Sequence, residues 1–327
     1  MHSESNKQID EILDIIDRKL ALSNIPLNQR CLLAATELVS DFVIKIKVDG
    51  KESNDFKTDF YEKDWFRELY KHINAWYCFR YGEALNKPTS QSATGVISLY
   101  GTPFKVVVPL SVRGAIEKPG KSAWFTIPNS VLDEEDVVEW LSSPPNLDSL
   151  DSAVIEKIYS DLTHVGTSLR SIHVNLMTAD KQHKQIGGIA SGIISHLNNA
   201  AKDILKSGSG GVSYAFWELH IAVEKSVKVL LIQHGSKKHH HHDLHELFKK
   251  AKNDYDIKIE NQKLFNLPSS KEAIKYRHGE GTGTTSEYAI SIYNDVLDIV
   301  SGTTKALKRK LMMNNASFLL RLPPWER

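Results

Sequence analysis

Cysteine is almost absent from this sequence, because the 327 residues contain only Cys31 and Cys78. Two cysteines without CxxC spacing exclude a disulfide-stapled scaffold and a thiolate zinc site, and they favour a reducing compartment. No apolar run reaches the roughly 18 residues of a membrane span. The polar first residues also lack the apolar stretch of a signal peptide. We therefore expect a cytoplasmic protein with no membrane partner.

The usual motifs for nucleotide and metal binding are also missing. The glycine-rich segment 279–285 lacks the Gly-Lys-Ser/Thr of a Walker loop, and no predicted strand precedes it. It is either a flexible loop or a phosphate site made of backbone amides. The run His239–His242, followed by Asp243 and His245, lacks the HExxH arrangement of zinc hydrolases. We interpret it as a polar loop whose His242 and Asp243 cap a helix, and we predict no metal and no cofactor.

The chain as a whole lacks an excess of charge of either sign, because it contains 41 basic and 40 acidic side chains. The small, flexible segment Ser207–Gly211 is the predicted domain boundary. Residues 206–327 carry a net charge of +6, and residues 1–205 carry −5. The neutral total therefore hides a basic half that can meet a polyanion and an acidic half for which we expect a protein partner.

Hydrophobic periodicity predicts a mainly α protein with a small antiparallel β insertion. The predicted domains are a mixed helical region over residues 1–206, with its sheet at about 94–128, and a helical bundle with a C-terminal tail over residues 212–327. The first contains helices over Ile9–Leu22, Cys31–Phe42 and Trp65–Tyr77, a hairpin over Val96–Val108, a third strand over Ala123–Ile127 and a short helix over Asp133–Leu141. A long helical connector follows over residues 151–205, as two helices with a break near Gly187–Gly188.

The aromatic side chains of the N-terminal half carry no defensible catalytic pattern. Trp65, Trp76, Tyr77 and Phe79 are predicted core residues, and Cys78 is predicted to be a buried thiol.

The C-terminal part contains three helix signals in a characteristic order. A long helix over Tyr214–Gly235 ends in a glycine suited to the left-handed C-cap, and a second helix begins near Asp243. The last helix is predicted from about Ser286 to Lys310. This order resembles the HEPN family, the nucleotide-binding domain of higher eukaryotes and prokaryotes, over about residues 212–312. The resemblance rests on the string Ala222–Leu231, on His242-Asp243-Leu244 and on Tyr276-Arg277-His278.

The resemblance implies a bundle of four or five helices that often forms a homodimer. Such domains occur in prokaryotic defence and toxin–antitoxin proteins, and many are metal-independent endoribonucleases. Those enzymes carry an arginine followed after four to six residues by a histidine, whereas here Arg277 directly precedes His278. Two hypotheses follow: a protein that engages RNA or a nucleotide, with endoribonuclease activity left open, or a non-catalytic, dimerising interaction module or antitoxin-like scaffold.

The catalytic candidates are Arg277, His278 and Glu280. Cleaving RNA without a metal needs a base, an acid and a cation for the phosphorane charge, and these residue types can supply all three. The alternative is that Arg277 pairs with a carboxylate of the bundle and His278 begins a loop. A second pair, Arg67 and His72, has the family spacing but lies about 140° apart on a helix.

Six basic residues are the predicted nucleic-acid contacts: Lys225, Lys228, Lys305, Lys308, Arg309 and Lys310. Cations are favoured at a helix C-terminus in any case, so a solvated helix end is the alternative for the last four. The apolar tail Phe318–Trp325 is expected to dock on its own bundle or on a partner.

Overall fold

The computed structural model describes residues 4–48, 51–53, 56–85, 92–118, 122–180, 184–206, 209–236, 242–255, 261–278, 280 and 283–321. These residues form ten α-helices and seven short strands, which confirms the mainly α prediction. The chain divides into two compact units: residues 1–89, 115–124 and 319–327 form the first, and residues 90–114 and 125–318 form the second. No helix among the described residues combines the length and apolarity needed to cross a membrane.

The first unit consists mainly of three helices, α1 (Glu4–Leu22), α2 (Leu27–Glu37) and α3 (Asp64–Tyr81), with a two-stranded hairpin of β1 (Ile46–Val48) and β2 (Lys51–Ser53). Its core includes a buried carboxylate, Asp17, which accepts hydrogen bonds from the hydroxyls of Tyr77 and Tyr81. The prediction of a buried Phe79 is wrong, since its side chain is 94% exposed. Cys78 is exposed as well. Phe79 lies about 200° around α3 from Tyr77, which faces the core.

The second unit begins with the predicted hairpin, formed by β3 (Ser92–Leu99) and β4 (Thr102–Pro109). Leu99 lies opposite Thr102, so Tyr100 and Gly101 make a two-residue turn, and both have positive φ. That conformation matches the right-handed twist of the strands. The remaining strands are β5 (Val112–Lys118), β6 (Ser122–Ile127) and β7 (Ala316–Arg321), whose residues are divided between the two units. Strand β7 has no counterpart in the sequence prediction.

Seven helices complete the second unit: α4 (Ser152–Thr178), α5 (Lys184–Ile204), α6 (Ser209–Gln233), α7 (Leu244–Tyr255), α8 (Asn261–Phe265), α9 (Ser270–Arg277) and α10 (Ser286–Lys305). Helix α6 is central, because it packs against α5, α7, α9 and α10. Its end confirms the predicted glycine cap: Gly235 has φ +81°, and the Ser236 N–H donates to the Leu231 carbonyl at 3.0 Å. The predicted division between residues 206 and 212 overlaps the start of α6, because Ser209–Gly211 belong to that helix, and a domain boundary there stays a prediction.

Two predicted helix limits are wrong for one shared reason. The break in the connector lies after Thr178, and Gly187 and Gly188 are inside α5. Helix α10 ends at Lys305 and does not continue to Lys310. The two segments meet instead: Ala179 pairs with Arg309 in an antiparallel bridge, and the Lys310 N–H donates to the Thr178 carbonyl at 2.9 Å. Helical periodicity does not reveal such a long-range pairing.

The short helix predicted over Asp133–Leu141 reduces to a single 3₁₀ turn, Val137–Trp140. Glu135, which the prediction placed at the helix start, instead binds a fully buried arginine, Arg170 of α4. The two Arg170 Nη atoms lie 2.5 and 2.6 Å from the Glu135 oxygens. Arg170 also donates to the carbonyls of Pro109 and Ser130, at 2.9 and 3.0 Å. One guanidinium therefore joins α4 to the end of the hairpin and to the loop after β6.

Burial alone would raise the pKa of Glu135, but the hydrogen bonds from Arg170 and from the Leu132 N–H hold it below its usual value. This carboxylate stabilises the fold while it is ionised, so its contribution is present above about pH 4.3 and is lost as the pH falls through the lowered pKa.

We predict that Arg170→Met lowers the free energy of unfolding by about 3–5 kcal/mol, because it leaves a buried carboxylate without its partner. Urea unfolding at pH 7 measures the change. The matched control is Lys157→Met, which removes an exposed pair with Asp161 on the same helix and should cost at most about 1 kcal/mol. Equal losses for the two variants would contradict the role assigned to Arg170.

Candidate functional site

Helix α6 presents polar side chains on two of its faces. Residues three, four and seven apart share a helical face. Trp217, His220, Glu224 and Lys228 therefore form one row, and Glu218 and Lys225 form another, about 90° away. The first row faces α9 and the start of α7, and the second row faces α5.

The first row is built around a buried carboxylate, that of Glu224, which is 6% exposed. The Lys228 Nζ lies 2.6 Å from Oε1, and His242 Nδ1 lies 3.1 and 3.2 Å from the two oxygens. The structure thus places Lys228, a predicted nucleic-acid contact, in an ion pair whose lysine side chain is only 15% exposed. Its charge is largely compensated within the bundle.

The buried histidine of this row, His220, is held by the chain before α9. Its Nδ1–H donates to the Pro268 carbonyl at 3.1 Å, so Nε2 faces Glu224 at 3.8 Å. Burial lowers the pKa of His220, and the contacts with Pro268 and Glu224 only partly oppose that effect. Ser270 also donates to the His242 carbonyl at 2.6 Å. The row therefore connects α6 to the starts of α7 and α9.

The segment before α7 behaves as the capping interpretation expects where it is described. Asp243 accepts a hydrogen bond from the Glu246 N–H at 3.1 Å. His239, His240 and His241 lie outside the described residues. Within the described part of the chain, no group of three or more His, Cys, Asp or Glu side chains is arranged to hold a metal ion.

The second row meets a histidine of α5. His196 Nδ1 lies 2.6 Å from Glu218 Oε2, and His196 Nε2 lies 2.7 Å from Lys225 Nζ. The side chains of His196 and Glu218 are each about one-fifth exposed. Sequence reasoning selected Lys225 but missed the other two residues, because His196 is 29 positions away on another helix and no motif links them.

The three catalytic candidates lie at the C-terminal end of α9. Arg277 is its final residue, and the His278 N–H and the Glu280 N–H both donate to the Lys275 carbonyl, at 3.0 and 3.2 Å. The chain therefore folds back over the helix end, and all three residues are exposed. The Arg277 guanidinium lies 5.3 Å from the ring centroid of Trp217. The alternative of a carboxylate partner is not seen, since Arg277 forms no ion pair with any residue that the structure describes.

Aromatic side chains surround this helix end. The buried Phe216 packs against Tyr276 and Tyr288, with ring centroids 5.5 and 6.3 Å apart. Burial raises the pKa of Tyr276, so its hydroxyl stays neutral at physiological pH. We call the surface formed by Trp217, Tyr276, Arg277, His278 and Tyr288 the α9-end surface. It combines rings that can stack on bases with cations that can bind phosphate.

The glycine-rich loop that leads into α10 is only partly described, because residues 279, 281 and 282 lie outside the described residues. Gly283 has φ +62°, and the Thr285 hydroxyl caps α10 by accepting from the Tyr288 N–H at 3.2 Å. The positive end of α10 thus lies beside Tyr288 of the α9-end surface. Phosphate binding by this loop stays a prediction.

The predicted basic contacts after α10 lie at the other end of α6. Lys308 exchanges backbone hydrogen bonds with the Gln233 side chain, at 2.8 and 3.1 Å, and Lys310 Nζ is 3.8 Å from Asp180. We call Lys305, Lys308, Arg309 and Lys310 the basic cluster. It lies where α4, α6 and α10 end, so its charges stabilise three helix C-termini. The 16 residues between Trp217 and Gln233 span about 24 Å of helix.

The Arg67 and His72 pair lies in the first unit. Arg67 is bound to Asp64 at 3.1 Å, and His72 lies 3.2 Å from Asp10. The structure thus ties these two residues to separate carboxylates and does not bring them together.

The buried His220 gives a pH-dependent prediction. The pKa of His220 is lower in the folded chain than in the unfolded chain. The contribution of this neutral histidine to the free energy of unfolding is therefore fully present above the unfolded pKa of about 6.5, and it is lost as the pH falls from there through the folded pKa. We predict that His220→Gln loses less stability between pH 7 and pH 5 than the parent does, in urea unfolding at several pH values. His245→Gln, at an exposed histidine of α7, should retain the parental slope. Identical slopes for all three proteins would contradict a neutral, buried His220.

Comparison with known proteins bears on the C-terminal part alone. Residues 195–305 match the family model of the HEPN domain. No curated protein and no solved structure matches the chain. The matched residues contain the C-terminal half of α5, all of α6 to α10, both polar rows of α6 and the α9-end surface. The C-terminal part of this chain thus matches the HEPN domain, which confirms the resemblance predicted from the helix order and the motif residues.

Proposed function

We propose that the HEPN part binds single-stranded RNA or a nucleotide at the α9-end surface, and that Arg277, His278 and Glu280 cleave RNA there without a metal ion. The domain match supports a function connected with nucleotides or RNA. We also propose that the protein acts in prokaryotic defence or as part of a toxin–antitoxin pair, and that it forms a homodimer through the C-terminal bundle.

One observation carries the proposal: Arg277 is exposed, stacks on Trp217 and forms no ion pair among the described residues. An arginine whose charge is not compensated can bind a phosphate, and its partner ring can stack on a neighbouring base. Two lysines of the bundle are, by contrast, paired with carboxylates: Lys228 with Glu224 and Lys263 with Asp298. Arg277 is therefore available to a polyanion.

The proposed cleavage uses the three residues in separate roles. The Glu280 carboxylate takes the proton of the ribose 2′-hydroxyl, and the 2′-oxygen forms a bond to phosphorus. The bond from phosphorus to the 5′-oxygen breaks, and His278 gives that oxygen a proton. Arg277 stabilises the charge of the phosphorane. The products are a 2′,3′-cyclic phosphate and a 5′-hydroxyl end.

The basic cluster extends the proposed binding surface. It lies about 24 Å along α6 from Trp217, so a strand bound at the α9-end surface could reach it only with its flanking nucleotides. Its lysines and Arg309 would contact phosphates without reading bases. Longer RNA should therefore bind more tightly than short RNA, and with a steeper dependence on salt.

We predict that the protein cleaves single-stranded RNA in EDTA and that Arg277→Ala with His278→Ala abolishes cleavage. Lys271→Ala, at an exposed position in the first turn of the same helix, should cleave like the parent. Gel analysis of a labelled oligonucleotide gives the rate, and end-group analysis identifies the cyclic phosphate. Thermal unfolding confirms that all variants fold.

Binding and cleavage are tested separately. Trp217→Ala should weaken binding of an RNA with 2′-methoxy groups, which cannot be cleaved, by roughly tenfold, since a stacked base contributes about 1–3 kcal/mol. Binding without cleavage would leave an RNA-binding module and remove the enzymatic role. Absence of both would favour the alternative, a dimerising interaction module or scaffold whose acidic N-terminal half binds a protein.

A further inference from the structure

The arrangement of Glu218, His196 and Lys225 contains two cation-forming side chains in direct contact. The Lys225 Nζ and the His196 Nε2 are 2.7 Å apart, and the Glu218 carboxylate lies behind the ring at 2.6 Å from Nδ1. Among the described residues, Glu218 and Lys225 are the only charged groups that the structure places in hydrogen-bonding contact with His196. The site lies between α5 and α6, on a different face of α6 from the α9-end surface.

The 2.7 Å contact allows only one proton between the two nitrogens. An ammonium on Lys225 can donate to Nε2 when the imidazole is neutral and its Nδ1–H donates to Glu218. If both groups were protonated, two donors would face each other with no acceptor between them. An anionic oxygen placed between Nζ and Nε2 removes that conflict, because it accepts from both. The Glu218 carboxylate then stabilises the imidazolium.

The absence of a side chain at Gly192 of α5 leaves room for Lys225. Gly192 lies one turn before His196, and a Cβ at this position would be only 2.5 Å from the Lys225 Nζ. The ammonium therefore lies against the backbone of α5. One turn earlier, at Gly188, a Cβ would meet no atom within 4 Å. The surface of α5 is therefore open at Gly188 and covered by the lysine at Gly192.

We propose that His196 and Lys225, with Glu218 behind the ring, form a binding site for the dianionic phosphate of a phosphomonoester. Binding draws one proton from solution onto His196, because the anion separates it from Lys225 and adds negative charge. A nucleotide's terminal phosphate and free phosphate share this chemistry. The proposal goes beyond the RNA-binding role of the α9-end surface and does not depend on it.

Calorimetric titration of the full chain tests the site with three probes: inorganic phosphate, adenosine 5′-monophosphate and adenosine. We expect both phosphates to bind and adenosine not to bind at this site. Repeating the titration with adenosine 5′-monophosphate at pH 8, where its phosphate with a second pKa of about 6 is already dianionic, in buffers with different ionisation enthalpies should show net uptake of protons by the protein. Tighter binding of the nucleotide than of phosphate would identify a nucleotide as the source of the phosphate.

His196→Gln and Lys225→Met should each weaken phosphate binding at least tenfold, and His196→Gln should also abolish proton uptake. Lys202→Met, at an exposed lysine of α5, is the matched control and should bind like the parent. In the Arg277→Ala background, which impairs the proposed RNA site, the phosphate binding that depends on Lys225 should persist, and this separates the two sites. Parental affinity in Lys225→Met, no binding by the parent, or no proton uptake would each overturn the proposal.

Discussion

Burial of helix α6 is the constraint on which the rest of the second unit depends. Its apolar residues, including Ala222, Val223 and Val227, are fully buried, so a polar side chain buried beside them must find a hydrogen-bonding partner. Glu224 finds Lys228 and His242, and His220 finds the carbonyl of Pro268. These partners fix the starts of α7 and α9. The position of the catalytic candidates at the C-terminal end of α9 follows from that attachment.

The cations on and around α6 thus have three different environments. Lys228 is compensated by Glu224 within the bundle, whereas Lys225 lies beside a histidine and Arg277 lies on a tryptophan ring. The basic cluster is divided from Arg277 by about 24 Å of helix. The sequence places all of these residues in one basic half, but the structure gives each group a different electrostatic environment. Net charge alone therefore does not define a binding surface.

Local patterns predicted much of the fold and part of the site. The helical period of α1, α3 and α6, the hairpin around Gly101 and the cap at Gly235 depend on neighbouring residues, and the structure confirms them. Features that depend on distant partners were missed: the bridge of Ala179 to Arg309, the Arg170 to Glu135 pair, and strand β7. His196 and Glu218 belong to the same class. No local signal in the chain shows that their helices pair.

The end of α9 is the proposed contact between the HEPN part and RNA. Hydrogen exchange of the full chain, measured by mass spectrometry with and without an uncleavable single-stranded RNA, tests it most directly. We expect slower exchange in peptides covering residues 275–288 and the first half of α6, with exchange in α1 and α3 of the first unit unchanged. Protection confined to the first unit, or to the basic cluster after α10, would contradict it.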